Sequence, residues 1–488
     1  MMFTAIDYTI FFVLVGLTII AGFLGAKWRA PDFSKISEWS IGGMKFGTVI
    51  VWFLMGADIY TAYSLVAIPG SAYALGGFIL YAVVYGSISY PFLYIVATKF
   101  YRIAKRRGYI TAGDYVRDRF DSRILSLLIS LTGIIAMLPY IALQIVGIRY
   151  VLDAMGFPVI PSFIIAYIIV AAFVAISGLR GPALSSLIKD VLLWAVILTI
   201  VIALGIRFTG FGPIFSEIGP SHYLIPSKLM LGYITLAFAS GISWLLFPNL
   251  LVGLLGSKSE EIIRKNSIFL PLYQVWLILL AIMGLVALAK NLVPHGISSL
   301  AFPSVISAYF PSYFVALAFA GIVIGSMVPA GLQSLGAANL IARNIYVDFI
   351  NKRATEKQQV LWGRVSVFIM IIASLIFAIT PAASGLIFYL LTFSYAWLLQ
   401  TLPAIILSMY WYDLDKYSVA AGWAVGTVFV TYGLATVKFS SSLLPWFYNI
   451  YVGFLGLVLN LVVMLVVYAV VKALKVKTTS KLTPQELM

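Results

Sequence analysis

The 488-residue chain contains no cysteine, two histidines and only 17 acidic residues. Lacking cysteine, it has no disulfide framework, thiolate metal site or haem-attachment motif. His222 and His295 stand far apart in polar connections, too few for a zinc site. Phosphate-cradling glycine loops and nucleophile elbows are missing too. Nothing in the chain therefore points to an enzyme, and no cofactor is implied. Charged residues make up 10% of the chain, against roughly a quarter in a soluble domain.

What is abundant is apolar. Hydrophobic residues reach 62%, and the mean hydropathy is +1.04. Repeated apolar runs of about 18 residues or more indicate membrane-spanning helices, so the chain is an all-α polytopic membrane protein. Thirteen helices are expected at roughly 5–25, 46–70, 73–98, 122–150, 159–178, 184–206, 228–255, 268–289, 310–342, 363–380, 384–410, 418–436 and 446–474. The first run lacks a basic start and precedes many further spans, so it is read as retained. The connections near 207–227 and 290–309 are long enough to hold extra structure, and no soluble domain is expected.

The net charge is +15. All but six of the 32 Lys and Arg fall in alternate connections and the C-terminal tail. The loop from Lys99 to Arg123 holds eight. Arg149, Arg207, Lys228, Lys290 and Lys438 fall at the other ends, and Lys189 lies inside a span. This positive-inside bias puts the C-terminus in the cytoplasm and, with an odd number of spans, the N-terminus outside. The basic excess is then orientation and attraction to anionic lipid of the plasma membrane. Nucleic acid drops out, and no obligate protein partner is implied.

Residues 1–45 (an additional helix and cytoplasmic loop) and 411–488 (the last two helices and the tail) flank ten helices. These divide into five plus five, 46–206 and 228–410. Each half opens on a helix interrupted by small and polar residues, GADIYTAY (56–63) and FASGISW (238–244). Matching interruptions point to inverted repeats around a midplane site, although polar residues also serve as packing contacts between membrane helices.

The order of spans, WSIGG (39–43) and SGLRGPALSSLIKD (177–190) resemble the sodium:solute symporter family. GADIYTAY, MLPYIALQIVGI (137–148), FPNLLVGLLGSKSEEIIRKN (247–266) and IGSMVPAGLQSLGAANLIARNIY (324–346) resemble its bacterial monocarboxylate permease branch. The resemblance runs over about residues 5–475. It implies the LeuT-type fold and uptake of a small organic anion, a short monocarboxylate such as lactate or pyruvate. It also implies a sodium site built from the carbonyls of Ala57, Tyr60 and Gly325 with two hydroxyls. The hydroxyl positions are Val328 and Pro329 here, so the site is depleted, although Pro329 frees the Gly325 carbonyl. Where many members carry Asp and Gln, this chain has Ser186 and Lys189, with Asp190 following. Lys189 is then a permanent or titratable stand-in for a metal ion, or else a rim lysine snorkelling to lipid phosphate. The coupling ion is proton or sodium.

Asp58, a charge in mid-membrane, marks an ion or proton path. It binds the coupling cation, relays a proton or pairs with Lys189; alternatively it caps the second half-helix. Tyr140 and Gln144 share a helix face and line the solute pocket or pack between helices, Gln144 serving as donor to a carboxylate. Tyr60, Thr61, Ser64 and Trp244 follow the two breaks, where free N–H groups suit a carboxylate. Asn249 stands where the branch usually shows histidine and is a candidate for solute orientation. Asn339 and Arg343 read as a helix stop and inside charge. The expected function is a symporter working by alternating access. An uncoupled facilitator or exchanger and a sodium symporter of another solute are the nearer rivals. A respiratory proton-pumping subunit would need ionisable residues in several spans, and a sensor would need a signalling domain.

Overall fold

In lipid the backbone must satisfy its own polar groups, so apolar runs become helices. The computed structural model describes residues 3–487 apart from 381, 382, 384 and 385. By length and composition, eleven helices among the described residues can cross a membrane. The pair Phe388–Thr401 and Pro403–Tyr410, bent by 41°, makes twelve. Tyr63–Arg107 counts once there, yet Gly76 at φ +60° turns the chain within it. A Cβ on Gly76 would collide with the His222 carbonyl, so the turn is closed to other residues. Dividing the stretch at Gly76 gives thirteen passes. The expected start of the eleventh helix, at 384 and 385, lies outside the described residues; the helix is seen from Phe388. The connections near 207–227 and 290–309 hold short helices, Gly212–Ile218 and Ala301–Tyr309.

Two helices are broken. The first runs as Thr48–Gly56, an irregular turn, and a π turn Tyr63–Ala67 leading into Ile68–Leu75. The second runs as Met230–Ser243, a 3-10 turn Trp244–Leu246, extended Phe247, and Pro248–Leu255. Its break therefore lies at the end of FASGISW and beyond, because Pro248 forces the preceding residue out of the helical region. Helix Ser312–Leu340 is the central post. It packs against Arg123–Ala154, Ala5–Leu24, Arg180–Arg207 and Glu356–Ala378. Buried on nearly every side, it is apolar over most of its surface, with Ser326, Gln333, Ser334 and Asn339 as buried polar residues.

At the basic end, Phe46 N–H donates to the Gly256 carbonyl and Lys258 N–H to the Phe46 carbonyl, each at 2.9 Å. The entry of the first broken helix is thereby tied to the exit of the second. Beside this junction Arg180, fully buried, donates to Glu38 Oε2 (2.7 Å) and the Trp28 carbonyl (3.0 Å). Glu38 also pairs with Lys45. Breaking a buried pair from one side leaves an uncompensated charge worth about 3–5 kcal/mol. Arg180→Ala is expected to lower unfolding free energy in detergent by that order. Glu38→Gln, which strips the fully buried guanidinium of its carboxylate while Arg180→Ala leaves Glu38 its Lys45 partner, is expected to lower it at least as much, and denaturant titration followed by tryptophan fluorescence compares the two.

Candidate functional site

A break in a membrane helix frees peptide groups that lipid cannot solvate. In the first broken helix, side chains satisfy the four freed carbonyls. Lys189 Nζ donates to the Tyr60 carbonyl (2.8 Å) and lies 3.4 Å from that of Ala57. Tyr140 hydroxyl donates to the Asp58 carbonyl (3.2 Å), and Ser64 hydroxyl donates to that of Ile59. The freed N–H groups are met the same way. Thr61 N–H donates to Ser64 Oγ (3.1 Å), Ala62 N–H to Gln144 Oε1 (3.0 Å) and Tyr63 N–H to Thr61 Oγ1 (2.9 Å). Gly56 leaves room for the Tyr273 ring, which a Cβ would strike at 2.0 Å.

Lys189 is wholly buried, so the snorkelling alternative is excluded. Its ammonium sits on two of the three carbonyls of the expected sodium site, those of Ala57 and Tyr60. Gly325 faces the same place, since a Cβ there would stand 4.0 Å from the Tyr60 carbonyl oxygen. Lys189 does not pair with Asp58. Its partner is Asp190, whose Oδ1 is 2.5 Å from Nζ. Asp190 Oδ2 accepts from Tyr273 hydroxyl (2.9 Å). Both neighbours face inward because helix Arg180–Arg207 is covered on two sides, by the first broken helix and by Pro271–Ala289.

Asp58 is 5% exposed and turns away from this pair. Its Oδ1 accepts from Tyr140 hydroxyl (3.2 Å) and lies 3.5 Å from Gln333 Nε2, while Oδ2 has no partner. The half-helix caps are Thr61, Ser64 and Gln144, so the capping alternative for Asp58 falls away. Asn249, in the first turn after the second break, faces Asp58 and has both amide atoms unpartnered. The N–H groups of Asn249 and Leu250 have no intrahelical acceptor by position. Phe247 joins this buried polar cluster, the Asp58 chamber, by packing edge-on against Tyr140 (5.3 Å) and Tyr395 (5.0 Å).

The structure thus gathers Asp58, Tyr140 and Asn249 in one chamber and Lys189, Ala57, Tyr60 and Gly325 beside it. Thr61 and Ser64 spend their hydroxyls on the backbone, and Gln144 retains only its buried Nε2 free. Tyr60 turns its ring onto Tyr273 (4.6 Å), and Trp244 packs edge-on against Tyr90 (5.5 Å). Sequence reasoning missed Gln333 and Tyr273. Gln333 carried a signal, four residues after Pro329 on one helix face; Tyr273 carried none.

The pattern defining the sodium:solute symporter family matches residues 39–426. The chain belongs to the sodium:solute symporter family. A monocarboxylate transport permease protein of Rhizobium johnstonii is 34% identical, over 96% of this chain and 97% of its own. An uncharacterized symporter of Bacillus subtilis is 31% identical, over 93% and 91%. Among solved structures, a Na⁺-coupled sialic acid symporter in a substrate-bound outward-open state aligns with TM-score 0.80 at 14% identity. That alignment covers 98% of this chain and 99% of that chain, and it shows the LeuT-type fold. The protein is therefore a secondary symporter, a multi-pass membrane protein moving a small solute with a coupling cation, and not an enzyme.

Gln144→Leu is expected to strand the Ala62 N–H in the membrane interior at a cost of about 1–3 kcal/mol. The thermal midpoint in detergent should fall accordingly; an unchanged midpoint would show that another acceptor takes over.

Proposed function

We propose that the protein imports a short monocarboxylate, such as lactate or pyruvate, together with a proton. One observation carries this reading: the ammonium of Lys189 lies on the Ala57 and Tyr60 carbonyls, already neutralised by Asp190. The cation position is filled by a tethered charge. Asp58 then remains, among the described residues, with no Lys or Arg within ion-pair distance.

A carboxylate solute entering this chamber meets the Asp58 carboxylate. Two negative charges 4 Å apart repel by about 4 kcal/mol at an effective dielectric constant of 20. One proton shared between the two carboxyl groups removes the repulsion, as in other paired carboxylates. Solute and proton therefore enter together, and the load is electrically neutral. Asn249, Tyr140, Gln333 and the free N–H groups opening Pro248–Leu255 orient the solute carboxylate, with Gln144 Nε2 as a further donor. The relative named as a monocarboxylate permease supports the solute class. Residues 46–206 and 228–410 act as the two repeats. The basic end faces the cytoplasm of a bacterial plasma membrane, with the N-terminus outside.

The family favours a second reading, sodium coupling, in which Lys189 leaves the carbonyls and Na⁺ replaces it. Uptake of labelled lactate, pyruvate and acetate into proteoliposomes separates the two. With proton coupling, each pH unit (acid outside) sustains up to about tenfold accumulation without sodium, and an imposed membrane potential changes it little. Asp58→Asn, which mimics the protonated acid, is expected to keep solute exchange and lose accumulation. Accumulation driven by a sodium gradient alone, or undiminished in Asp58→Asn, would sink the proton reading.

A further inference from the structure

Helix Ser312–Leu340 carries buried polar side chains in its half toward the basic end, Gln333, Ser334 and Asn339. Gln333 stands at the Asp58 chamber, and Asn339 lies about 9 Å further along the axis. Asn339 is wholly buried, and neither atom of its amide has a hydrogen-bond partner. Ser130 Oγ, on helix Arg123–Ala154, is also buried and unpartnered. Native interiors rarely leave such groups unmatched, and here three atoms are left so around one place. Asn339 and Ser130 line one cavity of about 20 Å³ with Thr111, Pro248, Gly336 and Thr401, contributed by five separate segments. It holds about one water molecule.

Gly336 separates this cavity from the chamber, since a Cβ there would lie 2.5 Å from Asn249 N. On the other side Thr111 hydroxyl donates to Asn344 Oδ1 (2.8 Å), and Asn344 Nδ2 lies 3.5 Å from Asp114. Arg117 and Arg343 stand 3.6 and 3.5 Å from Asp114. Polar groups therefore stand on both sides of Gly336, in the chamber and in this cavity, and continue from the cavity to the basic end. Nor is Asn339 a helix stop: the helix continues through Ile341–Ile350.

We propose that Ser130 and Asn339 form a second, transient solute site between the Asp58 chamber and the basic end. There the amide and hydroxyl hydrogens hold the carboxylate of the solute in transit. The choice of solute and the role of the Asp58 chamber as its first site rest on the function proposed above. Leu246, Leu340 and Leu398 close the site in the present state. Separation of half-helix Pro248–Leu255 from Ser312–Leu340 opens it.

Because the chain has no cysteine, single substitutions give clean probes. Full-length Asn339→Cys and the milder Ser130→Cys are reconstituted and exposed, on either face, to a membrane-impermeant cationic methanethiosulfonate. Asn249→Cys, in the chamber, serves as comparison, with and without lactate or pyruvate. Modification of the first two is expected from the basic side alone, slowed about tenfold by solute well above its Kd. Absence of modification from the basic side in both variants, under any imposed gradient, overturns the site. Solute protection of Asn249→Cys without protection of the other two overturns it as well. Basic-side modification with no protection in any of the three supports the inward passage and retires lactate and pyruvate as its cargo.

Discussion

A peptide group inside a bilayer has no water to turn to, and the rest of this protein is arranged around that fact. The chain stops being a helix between Gly56 and Thr61, and each liberated carbonyl finds a side chain from elsewhere in the sequence or from the segment itself. Lys189, Tyr140 and Gln144 come from two helices that would otherwise only pack. Their engagement with the break makes it rigid and specific. It also means that a movement of either half-helix must exchange these partners for others.

The charges follow the same logic. A lone ammonium buried among carbonyls is costly, and the paired Asp190, oriented by Tyr273, offsets it. Neutralising Lys189 within its own helix leaves Asp58 with neutral donors only. On the proton-coupled reading proposed above, the site separates two jobs that a bound sodium ion would combine: holding the broken backbone together and balancing the charge of an anionic solute. A tethered cation can do the first in every cycle without leaving. The second then falls to a group able to gain and lose charge.

Outside the site, the two broken helices are joined where Phe46 bridges Gly256 and Lys258, and Glu38 gathers Arg180 and Lys45 next to that junction. The entry of one broken helix and the exit of the other are thereby held together at that end. The helix Ser312–Leu340, buried on nearly all sides, gives both a fixed surface to move against.

Spans, breaks and charge bias could all be read along the chain, because bilayer thickness and the cost of charge in lipid act on short stretches of residues. GADIYTAY announced a break and an acid. Position in the fold was another matter. Lys189 and Asp190 are adjacent, and a helical wheel alone puts them about 100° apart with no indication of how wide the buried face is. Thr61, Ser64 and Gln144 read as solute ligands by type, yet they are held by N–H and carbonyl groups that only the folded break exposes. Asn339 read as the end of a helix, and Tyr273 gave no sign at all. Local rules governed class, topology and the location of the interruptions. The pairing of side chains was decided by contacts between segments 82 to 275 residues apart, and one chain's pattern does not specify those distances.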